Sequence, residues 1–193
     1  MFGDRFEILF VCHANLCRSP LAEMLAPRAF GDAFGPAAAG VVVSSAGTHA
    51  YAGSPMHGGS AAVLRECGID ARDFASRTVN SSILLAADLV LTAGREQRAA
   101  CVTLAPATVR RTFTLRQFTR LAGAAPAAGG PTPASVPTRL RVLVDRVNAG
   151  RHLVPNVPAE MDDLPDPVDQ PIEAFRNCAE QIWYSLGTII RVI

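Results

Sequence analysis

An α/β fold, with a four-stranded parallel sheet and helices on both faces, is what this sequence predicts, and three observations carry it. Short apolar runs alternate with segments whose apolar residues recur every three or four positions. The runs are apolar at successive positions, as strands buried on both faces require. Each run is separated from the next by a helix-length segment, the connection that a parallel pair needs.

The elements follow in order. Glu7 to Val11 is the first strand, and it ends in Cys12 to Arg18, a stretch with neither helical nor strand period. Ser19, Pro20 and Glu23 read as a helix start: serine as cap, proline in the first turn and an acid behind it. Leu21, Met24 and Leu25 share one helix face, and Gly31 offers a stop. Val41 to Ser45 is the second strand, followed by a Gly/Pro-rich loop to Pro55. Ala61 to Cys67 is helical and stops at Gly68. Leu89 to Thr92 is the third strand, flanked by helices near 81–86 and 96–104; Arg111 to Thr114 is the fourth, with a helix over 115–121. From 122 to 137 the chain is Ala, Gly, Pro, Ser and Thr, with Val136 its one large apolar residue. That composition predicts a flexible insert in a single domain spanning 1–193. Thr138 to Asn148 is helical through Leu140, Leu143, Val144 and Val147. A Pro-rich acidic stretch leads to Asp169, and a last helix over 172–190 carries Phe175, Ile182, Leu186 and Ile189.

Bulk properties narrow the function. With 193 residues and 49% hydrophobic content the chain can bury a full core. A formal charge of +1 provides no global field for nucleic acid or a membrane surface. All 18 basic residues are arginine. No apolar run reaches the roughly 18 residues of a membrane helix, and Met1 to Phe6 lacks the basic start and apolar core of a secretion signal. Five cysteines, an odd number, do not suggest a secreted disulfide framework. A reducing cytoplasm is the expected compartment, where Cys12 and Cys17 serve chemistry rather than structure.

The loop after the first strand carries that chemistry. It reads Cys12-x5-Arg18-Ser19 and lies where ligands of open α/β sheets bind, at the carboxyl end of a strand and the start of a helix. The five residues between Cys12 and Arg18 can curl so that successive N–H groups face one phosphate, and Arg18 can close the cradle with a two-pronged fork. The same field favours a thiolate at Cys12, able to attack phosphorus. No Gly-Lys-Ser/Thr follows, which excludes a Walker-type nucleotide loop. Cys12, Cys17 and the histidines lack zinc-ligand spacing, so no metal or other cofactor is expected.

Val11-Cys12-His13-Ala14-Asn15-Leu16-Cys17-Arg18-Ser19-Pro20-Leu21-Ala22-Glu23 resembles the signature of the low-molecular-weight protein tyrosine phosphatases, Cys-x-Gly-Asn-x-Cys-Arg-Ser-Pro-x-Ala-Glu. Ser45-Ala46-Gly47-Thr48, Gly68-Ile69-Asp70, Ala87 to Leu91 and Asp166-Pro167 are similar to later landmarks of that family. The resemblance implies hydrolysis of phosphotyrosine or aryl phosphate monoesters through a phosphocysteine. Cys12 would be nucleophile, Arg18 the phosphate clamp and Asp166 the general acid. His13, Ala14, Asn15, Leu16, Cys17 and Ser19 would surround the phosphate, with Ser19 donating to the thiolate and Asn15 and Ser45 holding the loop. Pro165 and Pro167 restrict the backbone around Asp166.

Four positions depart from the pattern: Ala14 for a glycine, Phe74 for a loop-bracing histidine, Ala93-Gly94 for a Met-Asp pair, and Val168 for an aromatic that holds the tyrosine ring. If position 14 needs positive φ, alanine costs about 1 kcal/mol. Tyr51 and His49 could line the cleft in place of that aromatic. The expected partner is a phosphotyrosine protein or small aryl phosphate, not nucleic acid or membrane. Cys12 and Cys17 are also expected to form a disulfide on oxidation. Two rival readings stand beside this one. A thioredoxin-coupled arsenate reductase needs two further, closely spaced cysteines, and Cys67 and Cys101 are far apart. A non-catalytic phosphate-binding module is opposed by the presence of Cys12, Arg18, Ser19 and Asp166.

Overall fold

The computed structural model describes residues 4–126, 129, 132–155 and 157–193. Four strands, β1 (Phe6–Cys12), β2 (Val41–Gly47), β3 (Leu89–Thr92) and β4 (Thr112–Thr114), form one parallel sheet in the order β2-β1-β3-β4. The helices of the described residues are α1 (Arg18–Phe34), α2 (Gly58–Glu66), α3 (Ser81–Ala86), α4 (Arg95–Leu104), α5 (Leu115–Ala124), α6 (Val136–Gly150), α7 (Ala159–Asp162) and α8 (Ile172–Val192).

Strand pleating divides the core in two. Phe6, Ile8 and Phe10 of β1 join Leu89, Leu91 and Phe113 on one face, packed against α1, α2, α5, α6 and α8. Leu9, Val11 and Val90 point the other way, into a smaller cluster with Leu84 of α3 and Cys101 of α4. Helices therefore cover both faces, as the all-apolar strands require. With every strand parallel, the loops after β1 and β3 open on the same edge of the sheet.

Several boundaries differ from the sequence reading. Gly31 does not stop α1, which continues to Phe34 and ends at Gly35, where φ is 52°. Ser19 is not the cap of that helix: Cys17 holds the cap position and makes no side-chain cap bond, while Ser19 lies inside the first turn with its hydroxyl turned to Cys12. The low-complexity stretch over 122–137 is shorter than its composition suggests. Residues 122–124 finish α5, while Val136 and Pro137 open α6 with Ser135 as cap. Val136 is fully buried, so the one large apolar residue in the stretch anchors its end. Residues 127, 128, 130 and 131 of that stretch lie outside the described residues.

The start of the chain is fastened to α6 through Asp4. Its carboxylate accepts hydrogen bonds from Ser135, from Thr138 Oγ1 at 2.7 Å and from the Arg141 guanidinium at 2.6 Å. The Ser135 bond first, then Thr138 and Arg141, holds the Asp4 carboxyl down to about 2. A carboxyl lowered by folding contributes stability above its unfolded pKa of about 3.9, and that contribution is lost as pH falls through the folded value. Asp4→Asn is therefore expected to lower the thermal midpoint at pH 7, with the gap from wild type closing between about pH 5 and pH 2. A gap that stayed constant across those pH values would mean that the carboxylate charge is not what fastens the segment.

Candidate active site

Cys12 ends β1 and Arg18 opens α1, so the residues between them must reverse within one tight loop. Parallel pairing with the β2 side runs on past the sheet: Thr48 N donates to Cys12 O at 3.0 Å and His49 N to His13 O at 2.8 Å. Gly47 lies directly beneath. A Cβ at Gly47 would come within 2.6 Å of His13 O and 2.8 Å of Asn15 N, so the loop backbone rests where a side chain would be.

Asn15 is the turning point. Its φ is 55°, a left-handed conformation that asparagine tolerates better than most residues. Ala14 is not in that region, so the alanine there carries no left-handed strain. Buried completely, Asn15 uses its whole amide: Nδ2 donates to Ser19 Oγ at 2.9 Å and to Ser45 Oγ at 2.7 Å, and Oδ1 accepts from Arg77 N at 2.9 Å. Ser45 in turn donates to Glu23 Oε2 at 2.5 Å. Each oxygen thereby has a defined role. Ser45 spends its proton on Glu23 and accepts from Asn15, while Ser19 accepts from Asn15 and points its proton at Cys12 Sγ, 3.0 Å away. A second acceptor, Ala46 O, lies farther from Ser19 at 3.3 Å. Burial raises the Glu23 carboxyl, with the Ser45 bond and the Arg77 charge acting against it.

Glu23 and Arg77 were given no site role from sequence. Glu23 closes the signature match but reads locally as a helix-start acid, and Arg77 has no local pattern. The loop-bracing role tied to Phe74 falls elsewhere, because Phe74 is buried in the larger core and Arg77 takes the contact through its backbone N–H. The Arg77 side chain adds a bond from Nε to Ser45 O at 2.5 Å. His57 was missed too. Its N–H donates to Leu16 O at 2.9 Å, its Nδ1 caps α2 at Gly59 N, and its ring stacks on Phe175 at 4.9 Å.

Arg18 is 9% exposed and reaches from the loop to the segment before α8. It donates to Leu164 O at 3.2 Å and to Asp166 Oδ2 at 2.5 Å, while its Nε is buried without a partner. The Asp166 side chain is 40% exposed, so the pair forms at the mouth of the site. Ala93-Gly94 holds this segment from the sheet side. Leu164 N donates to Ala93 O at 2.7 Å, and a Cβ at Gly94 would press on Asp163 Oδ1 at 3.0 Å. The departure at positions 93–94 thus makes room for the loop that carries Asp166.

The structure brings together Cys12, Asn15, Arg18, Ser19, Ser45 and Asp166. Asp162 pairs with Arg120 and Asp163 accepts from Arg95 N, both away from the loop, whereas Asp166 is the acid of this segment whose partner is Arg18 itself. His13 is exposed, with its ring stacked on His49 at 4.5 Å. Tyr51 is 87% exposed and is tied down through its carbonyl, which accepts from Ser76 Oγ at 2.5 Å. Cys17 turns inward and is buried; burial first, then the charges of Asp166 and Cys12, pushes its thiol up to about 12. Cys178 of α8, also buried, is pushed up to about 12 by burial.

Residues 7–127 match the low molecular weight phosphotyrosine protein phosphatase family. The probable low molecular weight protein-tyrosine-phosphatase EpsP of Ralstonia solanacearum is 35% identical over 47% of this chain and 57% of its own length. The protein-arginine-phosphatase of Geobacillus stearothermophilus is 36% identical over 58% of this chain and 71% of its own. Arsenate reductase 1 of Staphylococcus epidermidis is 31% identical over 50% and 66%. The chain therefore spans just under two thirds, or less, of the EpsP and arsenate reductase lengths. Among solved structures, the low molecular weight protein tyrosine phosphatase from T. tengcongensis superposes with a TM-score of 0.69 at 25% identity, covering 97% of this chain and 99% of that one.

The packing of Gly47 against the loop yields a direct test. Gly47→Ala is expected to shift the Cys12–Asn15 backbone and to lower turnover of an aryl phosphate by about 10²-fold, the effect of misplacing a reacting group by roughly 1 Å. Full activity in that variant would show that the loop backbone yields there without consequence.

Proposed function

Since the chain belongs to the low molecular weight phosphotyrosine protein phosphatase family, we propose that it hydrolyses phosphotyrosine or aryl phosphate monoesters through a phosphocysteine at Cys12. The observation that carries this reading is the Ser19 Oγ to Cys12 Sγ bond at 3.0 Å: Ser19 accepts from Asn15, and the sulfur is the nearer of the two acceptors for its proton, Ala46 O lying at 3.3 Å. A donor fixed on sulfur stabilises the charge that builds there as an S–P bond breaks, and so improves it as a leaving group.

In the first step the Cys12 thiolate attacks phosphorus, the S–P bond forms and the bond to the phenolic oxygen breaks. Asp166 delivers its proton to that oxygen. In the second step Asp166 takes a proton from water, whose oxygen attacks phosphorus, and the S–P bond breaks to return the thiolate to Ser19. Arg18 stabilises the equatorial oxygens in both steps. Its buried, unpartnered Nε is the N–H that a phosphate oxygen would satisfy. Loop N–H groups and the uncapped start of α1 add to the cradle. The aryl preference draws on the exposed, stacked rings of His13 and His49 beside the loop, since Val168 brings no ring. A cytoplasmic setting fits a chemistry that depends on a free thiol; no helix of the described residues is long and apolar enough to cross a membrane.

The arsenate reductase reading requires thiols that relay a disulfide outward. Cys101 is fully buried in the smaller core, with its thiol pushed up to about 12 by burial, and Cys67 lies exposed at the end of α2. Neither stands in a relay with Cys12, and hydrolysis is the reading supported here.

Para-nitrophenyl phosphate tests the proposal. Turnover should be insensitive to chelators, inhibited by vanadate and abolished in Cys12→Ser. Asp166→Ala should slow it by about 10²–10⁴-fold, the usual worth of a positioned acid. Activity surviving Cys12→Ser would remove the phosphocysteine route.

Oxidation offers a second test. Peroxide is expected to convert the Cys12 thiolate to a sulfenic acid, whose sulfur the Cys17 thiolate then attacks, forming the S–S bond and breaking the S–O bond with loss of hydroxide, which takes a proton from solvent. A Cys17 thiol raised to about 12 is almost wholly protonated at pH 7, so closure is slow there and accelerates as pH rises toward that value. Reductant should recover wild type better than Cys17→Ser, and the advantage should grow between pH 7 and 9. Equal recovery of both proteins at each pH would exclude Cys17 as the protecting thiol.

A further inference from the structure

Beyond the catalytic cleft, arginines collect along the β4 edge, and among the described residues none of their guanidiniums is paired with a carboxylate. Arg98 of α4 donates from Nε to Thr112 O at 2.8 Å. Arg151, just after α6, lies over the Phe113 ring with its guanidinium carbon 4.6 Å from the ring centre. Both side chains, from different helices, therefore converge on adjacent residues of one edge strand. Arg95 opens α4 and is exposed, and its backbone N–H holds Asp163. None of Arg95, Arg98 and Arg151 takes part in an ion pair among the described residues.

The grouping has a physical cost. Arg98 and Arg151 are both half-buried. Burial first, and then the Arg95 charge, lowers the pKa of Arg98; burial first, and then the Arg98 charge, lowers that of Arg151. Like charges held together away from full solvent repel, and a carbonyl and a ring face offset only part of the desolvation. An anion supplied from outside would relieve it. Asp163 is the acid beside Arg95, and its Oδ1 is taken by the Arg95 N–H; Glu96 is exposed in the first turn of α4.

The position of the patch identifies what it would bind. Arg95 contacts Asp163, three residues before Asp166, so the patch begins where the acid-bearing loop begins and runs from there to the β4 edge. Resting on the phosphatase reading above, we propose that Arg95, Arg98 and Arg151 form a docking surface for acidic residues flanking the phosphorylated residue of a protein substrate. A nucleic acid is the less suitable occupant, because the formal charge of the chain is only +1 and the arginines form a compact cluster rather than an extended stripe.

The test compares three substrates: a phosphotyrosine peptide flanked by glutamates, the same peptide with glutamines, and para-nitrophenyl phosphate. Wild type is expected to prefer the acidic peptide by about tenfold in kcat/KM, through KM, with the preference shrinking as salt rises. Arg98→Gln/Arg151→Gln should abolish that preference and leave para-nitrophenyl phosphate turnover unchanged. Arg151→Glu, which leaves the Arg98 bond in place, should disfavour the acidic peptide, and thermal melting of both variants checks that they fold. Equal kcat/KM for the two peptides in wild type, or a preference that persists in both folded variants, overturns the proposal. Displacement of the acidic peptide by a single-stranded oligonucleotide much more tightly than by free peptide also overturns it, in favour of a nucleic-acid site. Failure on para-nitrophenyl phosphate alone would instead strike the phosphatase reading. In that case, equal affinity of wild-type protein for the two peptides, measured by fluorescence anisotropy, would remove the patch as well.

Discussion

Everything at the active site depends on one buried asparagine. Asn15 turns the chain with a left-handed backbone, and its amide ties together two strands' worth of structure: Ser19 at the start of α1, Ser45 in β2 and the Arg77 backbone. A buried amide with an unmet donor or acceptor costs about 1–3 kcal/mol per group. Asn15 meets both donors and its acceptor, so the network that holds the loop also has little freedom to rearrange. Directionality comes from its far end, where the Glu23 carboxylate takes the Ser45 proton and so orients every hydroxyl between itself and the sulfur.

The helix that follows shows the trade-off between stability and chemistry. A serine cap usually stabilises a helix by about 1 kcal/mol relative to alanine. In α1 the nearby serine leaves that role and donates to Cys12 instead, so the helix N–H groups remain open toward the loop. Sequence pattern alone sees serine, proline and glutamate in order and reads a capped helix start. It cannot see that the hydroxyl has a stronger claim from a sulfur seven positions back.

The same distinction explains what was legible in the sequence and what was not. Strands such as Phe6–Cys12 and Leu89–Thr92 declare themselves through continuous apolar runs, and Cys12, Arg18 and Asp166 through motif and proline flanks. Glu23 and Gly47 fall within the quoted motifs, but their contacts are made through space, across strand and loop, and so their roles were not legible there; Arg77 falls in no motif at all. Gly31 misled for the opposite reason: a glycine within an otherwise well-packed helix is tolerated when flanking Phe30 and Ala29 are buried. The 122–137 stretch looked loose throughout, yet one buried valine was enough to start α6 inside it.

The pairing of Arg18 with Asp166 also bears on which anions the cleft admits. With the guanidinium engaged at 2.5 Å, any incoming oxyanion must exchange places with a carboxylate already there. A phosphoryl group, with three oxygens to set against the fork and the cradle at once, replaces one contact with several. On the phosphatase reading, the Arg18–Asp166 pair is then the resting contact that a phosphoryl group would displace on entry and that would re-form as product leaves.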